Sequence, residues 1–261
     1  MSWGKTEKEE FRTRGRADGG LIERIINRFY TDIAATWTID RIMIDGGAHQ
    51  GLHSLRMARL PRVSRVVSVE ANQKTFKKFT AIVERERLTD KIEANFAALQ
   101  NDQKREQVQF TTSDSHPGRS GINPILRDTN NPTSTNGTTF NEPVLVPATT
   151  IDKLAGGRAV GFIKLDLEGG EYHAFMGGLE TLRRSQPPCA FENGIRSPAL
   201  NGYAAEQFVS TIASVGLSLV TVFGEPMTRE NAADFWYAFA IPTARSDAYL
   251  KLLQSAVESQ L

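Results

Sequence analysis

Between Arg41 and Gly51 the chain reads RIMIDGGAHQG. Arg41–Asp45 is a short apolar strand ending in a carboxylate. A glycine-rich turn follows, and then a helix that runs to about Leu60. Glycine allows a tight turn and a close approach to a ligand, and the first turn of the next helix presents unbonded N–H groups. A strand, a glycine-rich turn and a helix in immediate succession open an α/β fold built around a bound ligand.

Working outward, the same alternation repeats. Arg65–Glu70 and Lys91–Ala98 are strands separated by a charged amphipathic helix over Gln73–Arg87. Gly161–Asp166 and Cys189–Asn193 are further strands, with helices predicted over Gly170–Ser185 and Tyr203–Val215. This rhythm argues for a mostly parallel sheet covered by helices on both faces. It breaks near the C-terminus, where Leu217–Phe223 and Phe235–Ile241 are joined by the short polar segment Gly224–Asp234. Such a joint suits a hairpin, so the last strand is expected to be antiparallel. Arg245–Gln260 closes the chain as a helix. Upstream, Leu21, Ile25, Ile26, Phe29 and Ile33 recur at helical spacing, and this helix either packs on the core or covers the ligand. Residues 1–20 read as a flexible tail, and 21–261 as a single domain. Ser113–Glu142, rich in Ser, Thr, Asn, Gly and Pro, is a long loop expected to be a substrate lid or a mobile insertion.

Composition excludes several classes. With 31 basic and 30 acidic residues the net charge is +1, which argues against a nucleic-acid partner or a membrane surface. Cys189 is the only cysteine, so disulfides within the chain are impossible and a reducing compartment is expected. No apolar run reaches membrane-spanning length, and residues 1–16 lack the apolar stretch of a secretory signal. The expectation is a cytoplasmic protein; oligomeric state is not legible.

The chemistry concentrates in three places. In the turn, Asp45, Gly46, Gly47, Ala48 and Gly51 are candidate cofactor contacts. Asp45 precedes the first glycine, where a carboxylate suits an ammonium or sulfonium ligand better than a pyrophosphate. Ala48 stands where the dinucleotide fingerprint has its second glycine. Glu70 ends the second strand, 19 residues after Gly51, where nucleoside-binding α/β folds place the acid that takes both ribose hydroxyls. Ala71 lies beside it, and Asn95 stands where it would meet the edge of an adenine. The alternative for each is a plain tight turn or a solvated strand end.

The second place is FIKLDLEGGE, Phe162–Glu171. Alternation puts Phe162, Lys164 and Asp166 on one face of the strand and Ile163 and Leu165 on the other. A lysine on a central strand needs a carboxylate, here Asp166 or Glu192. Asp166 lies at the carboxyl end of its strand, where open α/β sheets bind ligands. Glu168 is a second candidate catalytic group, and Glu171 sits in a first helical turn that favours an acid through the dipole alone. The third place is Glu192-Asn193, where Glu192 is a further candidate catalytic group. With Asp166 it could hold magnesium, although contact with substrate or backbone without metal is the preferred reading, and no metal ligand is assigned. Of the histidines, His49 and His53 lie near the turn, His173 on a later helix and His116 in the long loop. His116 is the candidate base for an acceptor hydroxyl.

Taken together, IDGGAHQG, VVSVEANQKTFKKF, TTIDKL (Thr149–Leu154), FIKLDLEGGE and CAFEN resemble the FkbM-type family of S-adenosylmethionine-dependent methyltransferases, over about Ile42–Asn193 and in the family's order. The resemblance implies a class I methyltransferase (Rossmann-like) fold of seven strands with the last antiparallel. It also implies S-adenosylmethionine as cofactor and methyl transfer to a hydroxyl of a sugar, glycan or polyketide-type natural product. By the same resemblance Asp45, Gly47 and Gly51 match the cofactor turn, Glu70 the ribose acid, and Asp166, Glu168 and Glu171 the acidic motif beside the transfer site. The chain departs from the family at His49, where Asn is usual, and across Ser113–Glu142. Two other classes stay open: a NAD-dependent oxidoreductase, which Ala48, Asp45 and the terminal hairpin disfavour, and a non-catalytic nucleoside-binding protein.

Overall fold

A computed structural model describes residues 20–114, 120–122, 141–193, 205–228, 231 and 235–260, together with Lys8, Glu9, Phe11 and Thr13. Among these residues the strands are β1 (Arg41–Gly46), β2 (Val63–Glu70), β3 (Ile92–Phe96), β4 (Ala98–Leu99), β5 (Gln107–Phe110), β6 (Val144–Thr149), β7 (Val160–Leu165), β8 (Cys189–Glu192), β9 (Leu217–Val220) and β10 (Tyr237–Pro242). The helices used below are α1 (Leu21–Ala35), α2 (Leu52–Met57), α3 (Gln73–Arg85), α4 (Ile151–Ala155), α5 (Glu171–Met176), α6 (Leu179–Ser185), α7 (Ala205–Ser214) and α8 (Ser246–Glu258).

Seven strands form one sheet in the order β3-β2-β1-β7-β8-β10-β9. Pairing is parallel from β3 through β8, and β10 lies antiparallel to both β8 and β9. This is the class I methyltransferase arrangement, with the last strand slotted between the two before it. The order reverses between β1 and β7, which opens a crevice at the carboxyl ends of the central strands.

Strand periodicity sorts the core into two layers. Met43, Phe162, Phe239 and Ile241 face α1, α2, α3 and α8. Ile42, Ile44, Ile163, Leu165 and Phe191 face α4, α5, α6 and α7. Helix α1 is the best-packed cover: Ile25, Ile26, Phe29, Tyr30 and Ile33 are all fully buried. Each contributes about 1.5–3 kcal/mol by burial. Phe29 meets Phe162 and Phe239 edge-on, with ring centroids 6.2 and 5.4 Å apart.

Three readings from sequence shift in detail. The strand expected over Lys91–Ala98 is broken at Ala97 into β3 and β4. Leu217–Phe223 is strand only to Val220, because Thr221–Gly224 turns back, with Gly224 N–H donating to Thr221 O at 2.9 Å. A second sheet, β4-β6-β5, was not anticipated. It arises because β4 diverges from the main sheet to pair with β6. Of Ser113–Glu142, residues 115–119 and 123–140 lie outside the described residues, His116 among them. Most of the stretch read as a tail lies outside them too, but Phe11 is buried against Phe223, ring centroids 5.0 Å apart. No helix among the described residues is long and apolar enough to cross a membrane.

Candidate active site

The cleft at the carboxyl ends of β2, β1 and β7 has a volume of about 380 Å³. Its position follows from the turn after β1. Gly47 and Gly51 have φ of +74° and +85°. A Cβ on Gly47 would lie 1.9 Å from the carbonyl oxygen of Asp166, and one on Gly51 would lie 2.4 Å from the Phe79 ring. One on Gly46 would lie 2.7 Å from Leu165 Cδ2. The glycines therefore serve chiefly to seat the turn on β7 and α3. Of the turn, Gly47, Ala48, His49 and Gln50 line the cleft.

One end is set by Glu70. His49 N–H donates to its Oε2 at 2.8 Å, and Asn72 N–H to its Oε1 at 2.7 Å. Asn72 in turn caps α3 through its side-chain oxygen. Backbone donors thus fix the carboxylate at the mouth of the cleft. Burial nevertheless pushes the Glu70 carboxyl above its ordinary range, against those N–H bonds. Ala71, Ala97, Ala98, Leu99, Phe110 and Ile122 add an apolar wall. Asn95 does not line the cleft: its amide donates to Glu93 O at 3.0 Å and Ser68 O at 3.3 Å.

The other end is electrostatic, and alternation builds it. Asp45, Lys164, Asp166 and Tyr237 share the parity of Met43, Phe162 and Phe239, so all project toward α1. Lys164 Nζ lies 3.3 Å from Asp166 Oδ2 and 4.0 Å from Asp45 Oδ1, which meets the expectation of an Asp166 partner. Burial alone would lower the Lys164 pKa, but Asp166, Asp45 and Glu23 outweigh it and keep the ammonium charged. The Tyr237 hydroxyl donates to Asp166 Oδ2 at 2.7 Å. Burial works to raise the Asp166 carboxyl, yet Lys164 and Tyr237 hold it below the usual range. Asp45 is completely buried, accepts from the Ser54 hydroxyl and does not line the cleft.

Asp166, Glu168 and Glu192 each bring a carboxylate oxygen within 4.8 Å of the others, so the predicted catalytic acids do converge. Glu168 owes its position to strain: its φ is +55° and that of Gly169 +105°. Buried Glu171 holds this turn by accepting from Leu167 N at 2.7 Å and Gly169 N at 3.4 Å, a structural role beyond the helix dipole. His49 lines the cleft, and burial lowers its pKa, so it is neutral at physiological pH.

Two groups at this end escaped the sequence reading, Glu23 and Tyr237. Glu23 lines the cleft from α1, and its Oε2 is bonded to His53 Nε2. A signal existed: Glu23 shares a helical stripe with buried Ile26 and Tyr30, where a lone carboxylate needs a reason. Tyr237 could have been found from the period-two face it shares with Phe239 and Ile241.

Residues 45–194 match the methyltransferase FkbM domain. Among solved structures, the chain is similar to methyltransferase FkbM from Methylobacillus flagellatus KT, at 15% identity and a TM-score of 0.46 over 77% of this chain and 43% of that one. It therefore spans less than half the length of that protein. It is also similar to an O-methyltransferase from Bacillus cereus in complex with SAH, at 13% identity and a TM-score of 0.44 over 89% of each chain. An rRNA methylase from Streptococcus thermophilus follows at 10% identity and a TM-score of 0.41, over 82% of this chain and 93% of that one. No curated protein matches the chain.

Proposed function

Since the chain belongs to the FkbM methyltransferase family, we propose that it methylates a hydroxyl of a sugar, glycan or polyketide-type natural product, with S-adenosylmethionine as donor. The observation that carries this reading is the polarity of the cleft. A backbone-fixed acid, Glu70, stands at the β2 end, and a carboxylate group converges at the β7 end. Glu70 suits ribose hydroxyls, the apolar wall suits an adenine, and the carboxylates suit a cationic tail and hydroxyl donors.

When bound, S-adenosylmethionine supplies a methyl group on a sulfonium centre. The residues of this chain supply alignment, which can contribute on the order of 7–11 kcal/mol. Asp166, with Glu168 and Glu192 close by, accepts the hydrogen bond of the acceptor hydroxyl and fixes the direction of its lone pair. Lys164 and Tyr237 make Asp166 a weak base before reaction. That suffices, because an oxygen gaining a methyl group turns strongly acidic and gives up its proton even to a weak carboxylate. Neutral His49 is a further acceptor within the cleft, and His116, outside the described residues, keeps its proposed role as a base. The preferred reading gives the three carboxylates no metal.

Calorimetric titration of the full chain with S-adenosylhomocysteine, and with NAD in parallel, tests the cofactor. Micromolar binding of the former alone is expected; binding of NAD alone would overturn the assignment. Release of S-adenosylhomocysteine is then followed against glycan and polyketide hydroxyls, with and without magnesium. Asp166→Asn is expected to lower turnover about 10²–10⁴-fold while the S-adenosylhomocysteine Kd stays within about threefold. Retained turnover would remove Asp166 from the mechanism.

A further inference from the structure

The sequence gives Asp45 the task of holding a cationic group, but its carboxylate is sealed beneath the turn. Another group must meet the tail of a ligand whose nucleoside sits at Glu70. Such a tail crosses the end of β1 toward β7, where Glu23, Asp166 and Glu168 face the cleft. Asp166 is engaged by Tyr237 and Lys164, and Glu168 belongs to the acidic group with Glu192. Glu23 comes from the opposite side, on a helix that precedes the family-matched segment 45–194.

Its setting is a built one. The Glu23 side chain is only 28% exposed, and His53, buried beneath it, holds one carboxylate oxygen. His53 is braced in turn by the Tyr30 hydroxyl at 3.4 Å, and Tyr30 takes a hydrogen bond from Asn27 Nδ2 at 2.6 Å. This bracing leaves Oε1 for the cleft. Although burial works to raise the Glu23 carboxyl, His53 holds it below its ordinary range, so it is charged at neutral pH. Three carboxylates, Asp45, Asp166 and Glu23, surround the single ammonium of Lys164. That end carries more carboxylates than cationic side chains, which fits a ligand tail bearing positive charge.

We propose that Glu23 binds the cofactor by accepting the α-ammonium group of its methionine tail, which makes α1 part of the active site. This rests on the cleft being an S-adenosylmethionine site. The test pairs two ligands on the full chain. S-adenosylhomocysteine carries the ammonium, whereas 5′-methylthioadenosine has the same nucleoside and thioether without the amino-acid end. Glu23→Gln is expected to weaken S-adenosylhomocysteine roughly 10- to 100-fold, the worth of a charge-assisted hydrogen bond. Its Kd for 5′-methylthioadenosine should match wild type, while loss of the pairing with His53 lowers its melting temperature modestly without unfolding the chain at the temperature of the titration. Unchanged S-adenosylhomocysteine affinity, or equal weakening of both ligands, would overturn the proposal. Failure of the wild-type chain to bind S-adenosylhomocysteine would instead bring down the cofactor reading, and the proposal with it.

Discussion

At the scale of single residues, the site is a product of parity. A strand alternates its side chains, so Asp45, Lys164, Asp166 and Tyr237 reach one side of the sheet while their neighbours fill the other core. Parity does not set the turns between strands and helices, and there a single carboxylate decides. Glu171 satisfies two backbone N–H groups and holds Glu168 at positive φ. Glu171→Ala should therefore cost about 1–3 kcal/mol, read as a lower urea midpoint, and turnover should fall with the displacement of Glu168. Glu70 makes the pH prediction. Its carboxyl is pushed above the usual range, so it takes up a proton at a higher pH than an ordinary glutamate does. The ionised form accepts ribose hydroxyls, so affinity for S-adenosylhomocysteine should strengthen as pH rises through that value and be lost below it. Titrations across pH 4–8 check this, and in Glu70→Gln the step should vanish. From sequence, Asp166, Glu168, Glu192 and Glu70 were legible because each ends a strand or opens a turn. Asn95 sat as plausibly in the chain, yet its amide is tied to its own sheet, and nothing local in the sequence distinguishes the two cases.

At the scale of elements, α1 was legible as amphipathic, but its two possible tasks were not separable. Periodicity shows which residues are buried and not what they are buried against. In the structure α1 packs on the core through Phe29 and Ile33, and Glu23 near its start lines the cleft. Phe29→Ala should leave a cavity between Phe162 and Phe239 and cost about 3–5 kcal/mol, seen as a lower melting temperature. If α1 belongs to the site, loss of S-adenosylhomocysteine affinity should accompany the loss of packing. The small sheet β4-β6-β5 was invisible because its strands are short and two of them flank the polar stretch Ser113–Glu142. A two-residue strand such as β4 has no period to detect. Yet this sheet carries Phe110 to the cleft wall, where Ser120 and Ile122, described residues within Ser113–Glu142, also lie.

At the scale of the whole molecule, strand order explains where the site is. The reversal between β1 and β7 puts two acidic strand ends on opposite sides of one crevice. The alternation of strands with helices made the parallel sheet legible. The polar joint after β9 made the antiparallel end legible, since no crossover helix fits between β9 and β10. What the joint does not reveal is that β10 enters between β8 and β9 rather than beside them. That placement is a long-range choice, with Ala238 opposite Phe191 on one neighbour and Ala240 opposite Leu219 on the other.

That insertion also governs how the chain can be made. Strands β8 and β9 leave the ribosome before the segment that must lie between them, so β8 can pair with β7 at once, but the edges of β8 and β9 that meet β10 wait for it. Until Tyr237–Pro242 arrives, β8 presents an open edge of unpaired N–H and C=O groups beside Phe191, a surface that pairs readily with other chains. Premature termination before β10 therefore costs more than one strand: it strands β9 and leaves the five-stranded sheet β3-β2-β1-β7-β8 with an open edge beside the cleft.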